Sequence, residues 1–175
     1  DGRSGKWFDS HDLTMMPAVT MAAEATSGGP ASNTRAIHYK GPAPGGWGAT
    51  LGLTVAGCYD ARAYQGVSFY IKGNAAAGNS QIKFSLHSPI SEPAPAGGCS
   101  AADVTAGKCY DHFAKVITLT DQWTRHDIKW KDLTQNCASD PAYVPWSEIL
   151  VLSYSILTPT AGFDFWVDNL SFDPG

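Results

Sequence analysis

The side chains best suited to chemistry in this sequence are aromatic rings and the polar groups that accompany them. The sequence contains six tryptophans and seven tyrosines. Aromatic rings pack against the C–H faces of sugar rings, and charged or amide groups hydrogen-bond the surrounding hydroxyls. This chemistry predicts a sugar-binding surface, whose candidate residues are Trp47, Tyr70, Lys83, His87, Arg125 and Asp127.

A second candidate for chemistry is the segment of residues 109–113, in which Asp111 and His112 are adjacent. Such a pair suits a polar or metal-binding site, but neighbouring residues on a strand point to opposite faces. The sequence therefore favours a simpler interpretation, in which these residues form hydrogen bonds at the start of a strand. His87 is better placed for function, because it alternates with Lys83 and Ser85.

Aspartates gather near both ends of the chain. Asp9 and Asp12 lie near the amino end, and Asp164 and Asp168 share one side of the last alternating segment. Carboxylate oxygens are the ligands that Ca²⁺ prefers. We predict a structural Ca²⁺ that is held by Asp168, Asp9 and Asp12 and joins the two ends of the chain. The alternative is that these aspartates are solvated surface groups.

Signatures of enzymes are few. The nucleophile-elbow, His-Glu-x-x-His, Walker and dinucleotide-binding patterns do not occur in the sequence. Paired catalytic carboxylates are not indicated either, because Glu24, Glu92 and Glu148 do not fall on one alternating segment. We therefore predict no catalytic residues.

Alternating segments must position the candidate residues. Apolar and polar residues alternate over residues 67–72, 82–87, 115–119, 126–130, 150–156 and 163–168. A period of two marks strands with one buried face. The residues that share the parity of aliphatic neighbours are predicted to point inward, and they are Phe69, Phe84, Tyr154, Phe163 and Phe165.

The opposite parity predicts the outward face. Tyr70, Lys83, His87, Arg125 and Asp127 all have this parity. We predict that they share one sheet face, which forms an oligosaccharide groove. The alternative is an ordinary solvated sheet.

Segments rich in Gly, Pro, Ala and Asn separate the strands, at residues 41–48, 73–80, 89–107 and 136–145. These residue types form turns and loops. Helical periodicity is nearly absent, although residues 146–149 could form one turn. The pattern predicts an all-β fold, an antiparallel β-sandwich, in one domain over residues 1–175.

The four cysteines indicate whether the protein resides in an oxidising or a reducing compartment. They lie in loop-like sequence without metal-ligand spacing. Four cysteines allow three disulfide connectivities, and we favour Cys99–Cys109, which closes a short loop, with Cys58–Cys137 for the remaining pair. Two disulfides would indicate a secreted, extracellular protein. The alternative is four separate buried thiols in a cytosolic protein.

Composition excludes several classes of protein. The 175 residues are 43% hydrophobic and 16% charged, which rules out a disordered chain. No cluster of Lys and Arg occurs and the net charge is -4, so a nucleic acid partner is disfavoured. No apolar run reaches the roughly 18 residues of a membrane span, so we expect no membrane partner.

Several short motifs of low individual specificity occur in order along nearly the whole chain. They lie at residues 2–8, 47–52, 59–69, 109–113, 122–130 and 163–172. In these motifs the sequence resembles the carbohydrate-binding modules of the galactose-binding-like β-sandwich type, nearest to family 11. The resemblance implies a jelly roll with ligand bound across a concave face. It also implies Ca²⁺ between the first and last strands, with Asp168 at the position of an aspartate ligand.

Family 11 modules bind β-glucan chains through tyrosines and charged residues, and Arg125 and Asp127 correspond to such a charged pair. The sequence therefore predicts a non-catalytic module that binds a β-glucan or related β-linked polysaccharide. Its second partner would be a covalently linked glycoside hydrolase. The alternatives are a small jelly-roll polysaccharide lyase or glycosidase, and a surface adhesion domain.

Overall fold

Alternating apolar and polar residues produce ten strands in the part of the chain that the structure describes. This computed structural model describes residues 5–12, 19–25, 35–106, 109–136 and 144–175. The strands are β1 (Gly5–His11), β2 (Thr20–Ala25), β3 (Arg35–Gly41), β4 (Ala49–Tyr59), β5 (Gly66–Gly73), β6 (Gln81–His87), β7 (Phe113–Thr118), β8 (Thr124–Lys129), β9 (Ile149–Ile156) and β10 (Phe163–Asp173).

The strands form two five-stranded sheets. Sheet A has the order β1-β4-β9-β6-β7, and sheet B has the order β2-β3-β10-β5-β8. Every neighbouring pair is antiparallel. The predicted antiparallel β-sandwich is therefore confirmed.

The inner faces of the two sheets supply the core. The aromatic residues that parity assigned to the interior are all 0–1% exposed. Phe69 of sheet B lies between two rings of sheet A, 5.2 Å from Phe84 and 5.1 Å from Tyr154 between ring centroids. Burial of one such side chain contributes about 1.5–3 kcal/mol, so these contacts hold the two sheets together.

Helical structure is short. α1 (Ala101–Thr105) begins after Ser100, whose hydroxyl accepts a hydrogen bond from the Asp103 backbone amide. The turn predicted near residue 146 is a 3₁₀ turn, Pro145–Ser147. In the described ranges, no helix has the length and apolar character needed to cross a bilayer.

One predicted disulfide is present, between Cys99 and Cys109. It closes a loop that contains α1 and ends next to β7. Cys58 is exposed. Its predicted partner, Cys137, lies outside the described residues, so that pairing stays a prediction.

Candidate functional site

The outer face of sheet A has a row of small residues across its middle. The register places Gly52 opposite Ser153, Ser153 opposite Ser85, and Ser85 opposite Ala114. Phe8 of β1 continues this central row at the sheet edge, and its ring fills the space that a Cβ atom at Gly52 would need. This central row forms the floor of the outer face, and neighbouring side chains cover it, since Ser85 is 1% exposed and Ser153 is 0% exposed.

Larger residues flank the floor on both sides. One flanking row contains Thr54, Val151 and His87, and the other contains Thr50, Ser155, Lys83 and Val116. Thr50 and Ser155 are joined by a 2.8 Å hydrogen bond between their hydroxyls. The result is a shallow trough across five strands, about 19 Å long at the usual strand spacing of roughly 4.8 Å.

Four exposed apolar side chains lie on sheet A or in segments directly next to its strands. In the described part of the chain, Val116 lies in a flanking row, Leu157 directly follows β9, and Trp47 and Tyr110 lie in the loops that lead into β4 and β7. Trp47 is 61% exposed and Tyr110 is 60% exposed. The other large apolar side chains that are exposed in these ranges, Val104 and Val144, lie outside both sheets. Large exposed apolar groups mark binding surfaces, so sheet A is the better candidate.

A polar cluster lies at one end of the trough. His87 Nδ1 is 2.6 Å from Glu92 Oε1, and His87 Nε2 is 2.7 Å from Ser153 Oγ. The His112 ring stacks on His87 at 3.5 Å between centroids, and its Nδ1 is 2.8 Å from Ser91 Oγ. Ser91 and Glu92 lie between β6 and Cys99, and His112 lies between Cys109 and β7, so the segments on both sides of the disulfide contribute side chains to this cluster.

The electrostatics of this cluster keep one imidazole neutral. Burial, together with smaller contributions from the nearby His87 and Lys83, lowers the pKa of His112 to about 2. A neutral ring can stack on a second imidazole without charge repulsion. His112 therefore acts as an aromatic and hydrogen-bonding group at neutral pH.

Ser153, His87 and Glu92 have the order of a serine–histidine–carboxylate relay. In hydrolases such a relay activates an accessible serine. Ser153 is 0% exposed, so its hydroxyl is not presented to a substrate. The arrangement therefore holds the His87 ring in place and gives no support to catalysis.

The prediction that the candidate sugar-binding residues share one face is wrong. Lys83 and His87 are on sheet A, whereas Tyr70 of β5 and Arg125 and Asp127 of β8 are on sheet B. Alternation separates outward from inward residues, but two sheets have two outward faces. Arg125 pairs with Asp127 at 2.8 Å, and both side chains are about half exposed.

Sheet B has its own aromatic row, which sequence parity did not single out. The register aligns His38, Trp166 and Lys72. His38 stacks on Trp166 at 3.9 Å, and the Lys72 ammonium is 4.7 Å from Trp166 and 5.5 Å from Trp123. The His38 ring covers one part of Trp166, and the Lys72 ammonium lies over Trp166 and Trp123, because cations are attracted to aromatic faces. The row stabilises sheet B and leaves little free ring surface.

The predicted Ca²⁺ ligands are not brought together. Asp168 is buried and lines a recess between the sheets, together with Trp7 and Arg35. Asp9 bonds the His11 ring at 2.7 Å, and burial, with a smaller contribution from the Asp9 charge, raises the pKa of Tyr39. Asp12 follows β1 and lies against Gly46. Five residues of extended strand, roughly 17 Å, separate Asp12 from Trp7.

Asp168 alone fits the Ca²⁺ that the family resemblance implies. It precedes a register shift in β10, at which Asn169 adopts a positive φ of 51°. Such a bulge redirects side chains. A buried carboxylate beside the first strand suits a cation, but Asp9 and Asp12 do not accompany it.

Comparison with known families identifies the chain. The model of the family described as carbohydrate binding domain 30 matches residues 1–174. The chain belongs to carbohydrate-binding family 30. The predicted resemblance to carbohydrate-binding modules is confirmed. The matching family is family 30, and family 11 modules are among the solved structures that share its fold.

Solved structures share this fold at low identity. A family 11 module from Clostridium thermocellum, in complex with a β-1,3-1,4-mixed-linked tetrasaccharide, is 13% identical with a TM-score of 0.60, over 97% of this chain and 88% of its own. The family 30 module of a cellulosomal cellulase of Clostridium thermocellum is 14% identical with a TM-score of 0.58, over 97% and 92%. An exo-β-agarase is 11% identical with a TM-score of 0.60, over 98% of this chain and 24% of its own. No curated protein sequence matches this chain.

Proposed function

We propose that this family 30 module binds a β-linked glucan chain in the trough on the outer face of sheet A. The observation that carries the proposal is the position of the exposed apolar side chains. Val116 lies in a flanking row, Leu157 directly follows β9, and Trp47 and Tyr110 lie in the loops that lead into β4 and β7. A shallow surface with aromatic groups and hydroxyls is complementary to a sugar chain. The mixed-linked glucan bound by a family 11 module supports the choice of ligand.

In this proposal Trp47 and Tyr110 stack against sugar rings. Lys83 and Ser155 offer hydrogen bonds to sugar hydroxyls from one flanking row, whereas Glu92 and Ser153 engage both nitrogens of His87. The glycan would contact the flanking rows and the exposed rings, because the floor residues Ser85 and Ser153 are buried. Binding by two stacked rings and a few exposed polar groups suits a polysaccharide of repeating units.

The proposed role is to keep a linked glycoside hydrolase close to its polysaccharide. A solved family 30 module that shares this fold is part of a cellulosomal cellulase, which supports the proposal. We also propose that the protein is exported. The Cys99–Cys109 disulfide supports export, because disulfides persist mainly in oxidising compartments.

We further propose that Asp168 provides one carboxylate ligand to a structural Ca²⁺. Its burial beside Trp7, at the recess between the sheets, supports this role. Bound Ca²⁺ would neutralise a buried negative charge and tie the sheets together. Arg35 lines the same recess and offers an alternative counter-charge.

The glycan proposal is tested by replacing one tryptophan on each sheet. Trp47→Ala removes an exposed ring at sheet A, and Trp123→Ala removes a half-buried ring that packs on Lys72 of sheet B. A stacked ring contributes about 1–2 kcal/mol, so Trp47→Ala should weaken binding of mixed-linked β-glucan by roughly 5- to 30-fold in affinity electrophoresis. Trp123→Ala should leave the retention within twofold of that of the unmodified protein.

The reverse result, in which Trp123→Ala weakens retention and Trp47→Ala does not, would transfer the glycan site to the face of Tyr70, Arg125 and Asp127. Circular dichroism of both variants checks that each retains its fold.

A further inference from the structure

The cluster of His87, Glu92 and His112 has a feature that sugar binding does not explain. A nitrogen of each imidazole converges on the same carboxylate oxygen, Glu92 Oε1. His87 Nδ1 is 2.6 Å from it, and His112 Nε2 is 3.8 Å from it. In the described part of the chain, this is the one group of three such residues whose ligand atoms lie within 4.8 Å of one another.

The hydrogen bonds of His112 determine which of its nitrogens is available. Ser91 Oγ donates to the Ser88 carbonyl at 3.1 Å, so it accepts from His112 Nδ1 at 2.8 Å. His112 Nε2 then carries a lone pair and faces the carboxylate oxygen across 3.8 Å. That distance is too long for a hydrogen bond. Two electron-rich atoms that face each other in this way are stabilised by a cation between them.

We propose that His87, Glu92 and His112 form a binding site for a divalent transition-metal ion, with Zn²⁺ as the reference ion. Zn²⁺ binds imidazole nitrogen and carboxylate oxygen at about 2.0–2.2 Å, so two of its ligand atoms stand roughly 3–4 Å apart. The separation of His112 Nε2 and Glu92 Oε1 already has this value. His87 Nδ1 has to withdraw from Glu92 by about 1 Å and exchange its proton for the metal.

The second nitrogen of each imidazole supports the assignment. His87 Nε2 lies 2.7 Å from Ser153 Oγ, as His112 Nδ1 lies close to Ser91 Oγ. Metal-binding histidines usually carry such an outer hydrogen bond, which fixes the tautomer and the ring orientation. When the metal binds, Nδ1 releases its proton to water and the ring keeps one proton, on Nε2. Nε2 then donates to Ser153.

The chemistry of the ligands selects the ion. Two nitrogens and one carboxylate oxygen suit Zn²⁺ and its first-row neighbours, whereas Ca²⁺ and Mg²⁺ prefer oxygen alone. Three protein ligands leave a coordination position for water or a hydroxyl group. Glu92 and both histidines are 10–17% exposed, so an ion can reach the site from the trough. The proposal is independent of glycan binding.

The proposal is tested by calorimetric titration of the whole chain with ZnCl₂ after treatment with a chelator. We expect saturable binding of one equivalent, and Glu92→Gln should weaken it at least tenfold. His112→Asn should have a similar effect. The matched control is Glu24→Gln, which removes a carboxylate 2.7 Å from His38 on sheet B and should leave Zn²⁺ affinity unchanged. CaCl₂ should not compete.

A second measurement keeps the test valid if a variant does not fold. Long-range ¹H–¹⁵N spectra of the unmodified protein should show Zn²⁺-dependent shifts at His87 Nδ1 and His112 Nε2. Shifts at His11, His38 or His126 instead would overturn the proposal. So would the absence of saturable binding, or equal Zn²⁺ affinity in folded Glu92→Gln and unmodified protein.

Discussion

Single residues determine the shape of the outer face of sheet A and the positions of its polar side chains. Gly52 is the clearest case, because the ring of Phe8 takes the space beside it and a side chain there would displace the ring. His87 is a second case, since Ser153 and Glu92 hold its two nitrogens. Composition and parity predicted His87, Lys83 and Trp47 as site residues. Tyr110 was not predicted, because it follows a cysteine in a loop where no periodicity applies.

Asp168 carries a prediction at the same scale. Calcium at about 100 times its dissociation constant should stabilise the fold by about 2.7 kcal/mol. For a domain of this size that corresponds to a rise of roughly 5–10 °C in the Tm. Asp168→Asn should remove this calcium-dependent rise, measured as the difference in Tm between CaCl₂ and EGTA.

Asp12→Asn is the matched control, because Asp12 lies beside Gly46, away from the recess of Asp168. It should keep the full response to calcium. An equal response in Asp168→Asn and the unmodified protein would remove Asp168 from the calcium site.

The elements of the sandwich were predictable to different degrees. Strands β5, β6, β8 and β9 alternate clearly and were predicted to within two residues of their observed ends. β2 was not predicted, because four of its six residues are Ala or Met, which favour strands weakly. Glu24, which fell on none of the predicted alternating segments, lies in β2. The helix α1 was not predicted, because it is five residues long and depends on its Ser100 cap.

The loop closed by Cys99 and Cys109 carries the prediction at this scale. The disulfide constrains a segment of about ten residues, so Cys99→Ser with Cys109→Ser should cost about 2–3 kcal/mol. We expect a fall of roughly 5–10 °C in the Tm. Because Tyr110 directly follows Cys109, loss of the disulfide should release its backbone, and the affinity for mixed-linked β-glucan should also fall several-fold.

Calorimetric unfolding and affinity electrophoresis measure the two effects separately. A double variant that is destabilised but retains full glycan affinity would show that the loop does not contribute to binding. Cys58→Ser is the comparison for glycan affinity, because it removes an exposed cysteine on β4 outside the loop and should leave that affinity unchanged.

At the scale of the whole molecule, sequence predicted the sandwich but not the assignment of strands to sheets. Period two gives the inward and outward sides of a strand. It does not say that β5 and β8 pair in sheet B while β6 and β9 pair in sheet A. That assignment depends on long-range pairing, which no local pattern encodes. The error placed Tyr70 and Arg125 beside His87, although the two sheets face opposite ways.

The central claim is that the glycan binds to the outer face of sheet A. The most direct measurement is a ¹H–¹⁵N NMR titration with a mixed-linked glucan tetrasaccharide, followed by amide shifts. We predict saturable shifts at Lys83, Val116 and Leu157, and at the Trp47 indole, with little change at Tyr70, Arg125 and Asp127. Shifts confined to Tyr70, Arg125 and Asp127, or no saturable shifts on sheet A, would contradict the account.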